Sequence, residues 1–143
     1  MDQRLSVITL GVHDIARSRQ FYENGLGWHR DAGEDDVAFY QTGSFITALY
    51  EWPKLAADAQ VPAEGTGFRG VALGYCTRSR AEVDVVMARA EASGARVAVA
   101  ARDTFWGGYA GYFADPDGHL WEIAWNPGWT LGADGSMSLR PPA

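Results

Sequence analysis

The sequence predicts an α+β chain of two β-α-β-β-β modules forming a cupped mixed β-sheet. Three observations lead there. Strand-like and helix-like runs occur twice in the same order along the chain. The pentapeptide ITLGV at Ile8 to Val12 is echoed by VALGY at Val71 to Tyr75, each leading through a short polar turn into a helical segment, which points to duplication. Finally, 143 residues that are 47% hydrophobic and 21% charged make one domain's worth of chain, or two small modules sharing a core. That composition excludes disorder and fibrous repeats, and the length excludes a multidomain enzyme. Two curved sheets of this kind can pack side by side and enclose a cleft, with helices on the outer faces.

The first module spans about residues 4–53. LSVITLGV, from Leu5 to Val12, alternates and is rich in β-branched residues, so it reads as a strand. Asp14 caps a helix over Ile15–Leu26 that sets Ile15, Phe21, Tyr22 and Leu26 near one face, and Gly25 or Gly27 supplies the left-handed exit. A second strand begins about Trp28. Beyond the acidic turn at Gly33 to Asp36, VAFYQ and SFITALYEW form a hairpin around Thr42-Gly43. Residues 54–66 carry Ala, Pro and Gly without a sustained apolar period and read as a linker with at most one helical turn.

The second module, about 67–127, restarts the pattern. FRGVALGY reads as a strand. Val83, Val86, Met87 and Ala90 then follow at i, i+3, i+4 and i+7 and give the clearest helix of the chain, over Arg80–Ala92. ARVAVAARD and GGYAGYFA are the next strands, and the turn Asp115-Pro116-Asp117-Gly118 delivers the chain into HLWEIAW. The tail, residues 128–143, offers one short strand and no chemistry.

Twelve basic against eighteen acidic residues give a net charge of −6, which repels phosphate backbones and anionic membrane surfaces, so neither nucleic acid nor membrane is expected as a partner. MDQRLSVITLG lacks the long apolar region of a signal peptide. With a single cysteine, Cys76, and hence no internal disulfide, the expected location is cytoplasmic. Cys76 reads as a small core residue, because no base or cation-rich pocket lies near it in the sequence.

ITLGVHDIARSRQFYENGLGW and GYFADPDGHLWEIAWNP resemble the vicinal oxygen chelate superfamily, which includes glyoxalase I, bleomycin-resistance proteins and extradiol dioxygenases. Asp14, Ser18, Phe21, Tyr22, Leu26 and Gly27 match its opening signature; Asp115, Pro116, Asp117, Gly118 and Glu122 match its closing one. The resemblance covers nearly everything from Leu5 to Pro127 and treats residues 1–143 as a single domain of that family. It implies a homodimer, as small members usually pair. It also implies a divalent ion held by four inward-facing groups, two from each module, usually His or Glu. Aligned on those positions, this chain has Val7, Gly70 and Thr47, or Leu49 after a slip of two residues, and only Glu122 could ligate. A lone carboxylate cannot hold a catalytic ion against water. His13, His29 and His119 read as turn or surface histidines, so neither metal nor other cofactor is expected.

Strand parity, with the family's ligand positions facing inward, puts Val7, Thr9, Thr47, Gly70 and Ala72 in the cleft beside Glu122, while Trp121, Ile123 and Trp125 pack against a helix. The inward residues are mostly small and leave room for an organic ligand. Six Trp and six Tyr occur in the chain, and Phe105-Trp106-Gly107-Gly108-Tyr109 offers Trp106 and Tyr109 as a clamp. Glu122 anchors the ligand or, with Tyr109 as partner, serves as a catalytic acid–base group. The expected function is therefore glyoxalase- or bleomycin-resistance-like binding of a small organic molecule in a metal-free cleft. The alternative is a superfamily enzyme of lyase, isomerase or dioxygenase type using Glu122, with or without a divalent metal.

Overall fold

The computed structural model describes residues 1, 3, 5–69 and 71–139. The chain divides into two compact units, Met1–Arg69 and Gly70–Ala143. Each is a β-α-β-β-β module with a four-stranded mixed sheet.

In the first unit, strand β1 (Val7–Val12) leads into helix α1 (Ile15–Arg19). Asp14 caps that helix as expected, its carboxylate accepting the Arg17 N–H at 2.9 Å. The helix continues as a π-helical segment over Gln20–Gly25 and leaves through Gly27, whose φ of +81° suits a residue without Cβ. The two-residue β2 (Ala32–Gly33), β3 (Val37–Thr42) and β4 (Phe45–Glu51) complete the sheet in the order β1-β4-β3-β2, with β1 and β4 parallel and the other pairs antiparallel. Leu10, Val12, Phe21, Tyr22, Ala38, Tyr40 and Leu49 form its core. Trp28 joins Tyr22 and Tyr40 in an aromatic cluster, with centroids 4.8 and 5.4 Å from theirs. Tyr40 donates to Glu23, which also accepts from Arg19.

Where the sequence suggests a linker, Trp52–Asp58 forms helix α2. Pro53 lies in its first turn, where a missing N–H costs nothing, and Leu55-Ala56-Ala57 are good helix formers. The segment is too short to show an apolar period.

In the second unit, β5 (Ala72–Cys76) precedes helix α3 (Arg80–Ala92), which is followed by β6 (Arg96–Asp103), β7 (Tyr109–Ala114) and β8 (Leu120–Trp125) in the order β5-β8-β7-β6. Ser79 caps α3 by accepting the Glu82 N–H, while the Glu82 carboxylate reaches back to the Arg78 N–H. Val83, Met87 and Ala90 of α3 are buried, as are Phe113, Trp121 and Ile123 of the sheet it covers. Each fully buried large side chain of this kind contributes about 1.5–3 kcal/mol. The tail forms a small hairpin, β9 (Thr130–Leu131) with β10 (Met137–Ser138), rather than a lone strand.

Candidate functional site

Residues paired across neighbouring strands share a face of the sheet, so the registers decide which side chains can meet. In the second sheet Gly74, Glu122 and Tyr112 lie in one row across β5, β8 and β7. The next row is Cys76, Ala124, Ala110 and Arg102; the row on the other side is Ala72, Leu120, Ala114 and Arg96. This face is the one opposite α3, and five of these eleven residues are Ala or Gly. A Cβ added to Gly74 would have nothing within 4 Å.

The turn between β7 and β8 sets that arrangement. Asp115 is buried and its Oδ1 accepts the N–H groups of Asp117 at 2.9 Å and His119 at 2.8 Å, while Gly118 turns the chain at φ +91°. Asp115 N–H also bonds the His119 carbonyl. These contacts lock Ala114 opposite Leu120 and therefore Tyr112 opposite Glu122. Tyr112 stands across from Glu122, and burial first, with the neighbouring carboxylate second, pushes its phenol above the ordinary tyrosine range. Burial and the Glu122 charge raise the Cys76 thiol as well, so it stays protonated at neutral pH, a poor nucleophile.

Tyr109 does not meet Glu122. It pairs with Trp125 on the opposite face, where its hydroxyl donates to Asp84 of α3 at 2.8 Å and the Arg80 guanidinium lies 4.6 Å from its ring centre. Arg80 also lies over Trp125 and pairs with Asp103, so Tyr109 helps bind α3 to the sheet. Thr47 is likewise on the other face from Val7 and Thr9. It pairs with Ile8 and Tyr40, is 3% exposed, and shares a 2.9 Å hydrogen bond with Thr42. The repeat explains the correction. Gly11 pairs with Tyr50 as Gly74 pairs with Glu122, so the first-module counterpart of Glu122 is Tyr50, not Thr47.

Val7 and Thr9 are exposed on the face of the first sheet that carries Ile46 and Ala48. Further along the same face α2 closes over the strand, since a Cβ on Gly11 would lie 3.0 Å from Trp52 and 3.4 Å from Leu55. Ala72 is exposed beside Leu120 on the Glu122 face. Gly70 lies outside the described residues. Trp106, 38% exposed, rests its ring on Gly108 just before β7, where an added Cβ would be 1.7 Å from the indole. His13 stacks on Trp52, with centroids 4.8 Å apart.

Among the described residues no three His, Cys, Asp or Glu side chains are close enough to hold a metal ion. Around Glu122 the facing residues are Gly, Ala, Leu, Tyr and Cys. This donor set does not fit a divalent ion of the kind the resemblance implies, which needs three or four ligands.

Residues 4–123 match the profile of the Glyoxalase/Bleomycin resistance protein/Dioxygenase superfamily, and the chain belongs to that family. It is similar to the crystal structure of a glyoxalase-related enzyme from Fulvimarina pelagi, with 38% identity and a TM-score of 0.89 over 96% of this chain and 99% of that one. A glyoxalase/bleomycin resistance protein/dioxygenase family enzyme from Burkholderia phytofirmans PsJN shares the fold at 19% identity and a TM-score of 0.76, over 84% of this chain and 96% of that one. Lactoylglutathione lyase from Agrobacterium tumefaciens shares it at 21% identity and a TM-score of 0.67, over 87% and 95%. No curated protein matches the chain.

Proposed function

We propose that this family member is a metal-independent small-molecule-binding protein whose organic ligand lies on the Glu122 face of the second sheet. One observation carries the reading: Gly74 opens onto free space beside the cross-strand pair of Glu122 and Tyr112, whereas its counterpart Gly11 is covered by Trp52 and Leu55. Alanines and glycines supply room, and the carboxylate keeps lone pairs free to accept from a ligand. The protein acts in the cytoplasm as a homodimer; light scattering giving a monomer mass would contradict the second part.

A metal-independent enzyme is the second reading, favoured by Tyr112. A phenol held protonated beside a carboxylate provides a donor and an acceptor within reach of one substrate atom.

A thermal-shift screen of metabolites and antibiotics tests the first reading, run on the wild type and on Gly74→Phe. Gly74 has no positive φ, so the ring can be built without backbone strain. A true ligand stabilises by mass action and loses that effect when the face is filled. Hits retained in Gly74→Phe would place the ligand elsewhere. Turnover of a hit, abolished by Glu122→Gln while binding persists, would replace the binding reading with the enzyme reading.

A further inference from the structure

Arg102 faces the same way as Ala110, the first of three small residues that continue its row through Ala124 to Cys76. It is exposed, and no ion pair engages it among the described residues. The neighbouring arginines differ in this respect. Arg80 is committed to Asp103 and Tyr109, and Arg78 donates to the Gly132 carbonyl. Asp103, next to Arg102 in the chain, pairs with Tyr109 and so points to the α3 side. Alternation along the strand separates the two, and the bulge between Val99 and Arg102 decides that Arg102 takes the Glu122 side.

Glu122 and Arg102 are thus opposite charges on one face, two strands and two residues apart, with Cα atoms about 12 Å from each other by strand spacing. Ala110 and Ala124 lie between them and are buried. Building on the proposed ligand face, we infer that the ligand is dipolar. A carboxylate or similar small anion is taken by Arg102, a hydroxyl or ammonium donor is taken by Glu122, and a short apolar body joins the two ends. The net charge of −6 disfavours free anions, so a lone acidic group gains little at long range, and the local guanidinium selects ligands carrying both ends. Arg96 faces the same side at the other end of β6, two strands and two residues from Glu122 in the opposite sense, and bulky Leu120 stands there where Ala124 stands on the way to Arg102.

Calorimetric titration of the intact protein with 6-aminohexanoate, hexanoate and hexylamine tests this. The amino acid should bind about tenfold tighter than either single-ended probe. Arg102→Ala should remove that advantage while leaving hexylamine unchanged, and Arg96→Ala should alter neither. Equal affinity for 6-aminohexanoate and hexylamine, indifference to Arg102→Ala, or no binding at concentrations on the order of 10 mM would overturn the dipolar ligand. If those results came with thermal-shift hits that Gly74→Phe abolishes, the ligand face would stand and only its dipolar preference would fall. Binding of any probe that survives Gly74→Phe would overturn the face itself.

Discussion

Gly11 and Gly74 are the same residue in two copies of one module, and their surroundings differ. Gly11 is roofed by α2, whose Trp52 also stacks on His13, donates to the Ala63 carbonyl and lies under the Arg69 guanidinium. Gly74 has no such cover, and the positions that hold Tyr50 and Val37 beside Gly11 hold Glu122 and Tyr112 beside Gly74. Duplication supplied two equal frames. One was closed over its glycine by Trp52 and Leu55, while the other leaves Gly74 uncovered beside a carboxylate.

The contrast can be broken at its strongest point by removing the roof. Trp52→Ala should destabilise the protein by about 2–3 kcal/mol, because a half-buried indole with several partners is lost; denaturant unfolding measures it. The paired glycines give a sharper version. Gly11→Leu must push Trp52 aside and should cost about 1–3 kcal/mol, whereas Gly74→Leu should stay within about 0.5 kcal/mol of the wild type. Equal costs at the two sites would mean that the second face is not open.

Most of the architecture was readable because period and punctuation agree in each element. The apolar spacing of Val83, Met87 and Ala90, the Asp14 cap, and the Asp115–Gly118 turn each have a local cause. Trp121 and Ile123 also face the buried side, as alternation along one strand requires. Parity within a strand says nothing about its neighbour, however. Tyr109 is near Glu122 in sequence but falls on the other face once register is counted. Counting outward from the Asp115–Gly118 turn pairs residue 114 with 120 and so Tyr112 with Glu122, a signal present in the sequence. Thr47 falls on the other face because the register of the internal repeat, and not position along the family pattern, decides which residue of β4 stands opposite Gly11. Helix α2 escaped because seven residues are too few for periodicity, although Pro53 at its start marks a helix N-terminus.

Trp106 sharpens the account of the second module's rim. Gly108→Ala would drive a methyl into the indole and against the Trp125 carbonyl, so it should destabilise by about 1–2 kcal/mol and redden the tryptophan emission as Trp106 moves into water. The smallest effect belongs to the first module. Hydrogen bonding from Arg19, opposed by burial and aided by Tyr40, holds Glu23 below the usual carboxylate range. A depressed folded value means that its stabilisation is present above the unfolded pKa near 4.5 and is lost as pH falls through the folded value. Glu23→Gln should therefore cost about 0.5–1 kcal/mol at neutral pH, with the difference from wild type vanishing in acid; thermal melts across pH measure it.

The central claim is that ligand goes to the second module's uncovered face and not to its roofed counterpart. Amide chemical-shift mapping of isotope-labelled protein during titration with a compound that raises its melting temperature tests this directly. The predicted result is perturbation centred on Gly74, Ala110, Tyr112, Glu122 and Ala124, with Gly11, Val37 and Tyr50 unmoved. Perturbations centred on Gly11 and α2, with the Glu122 row silent, would contradict it.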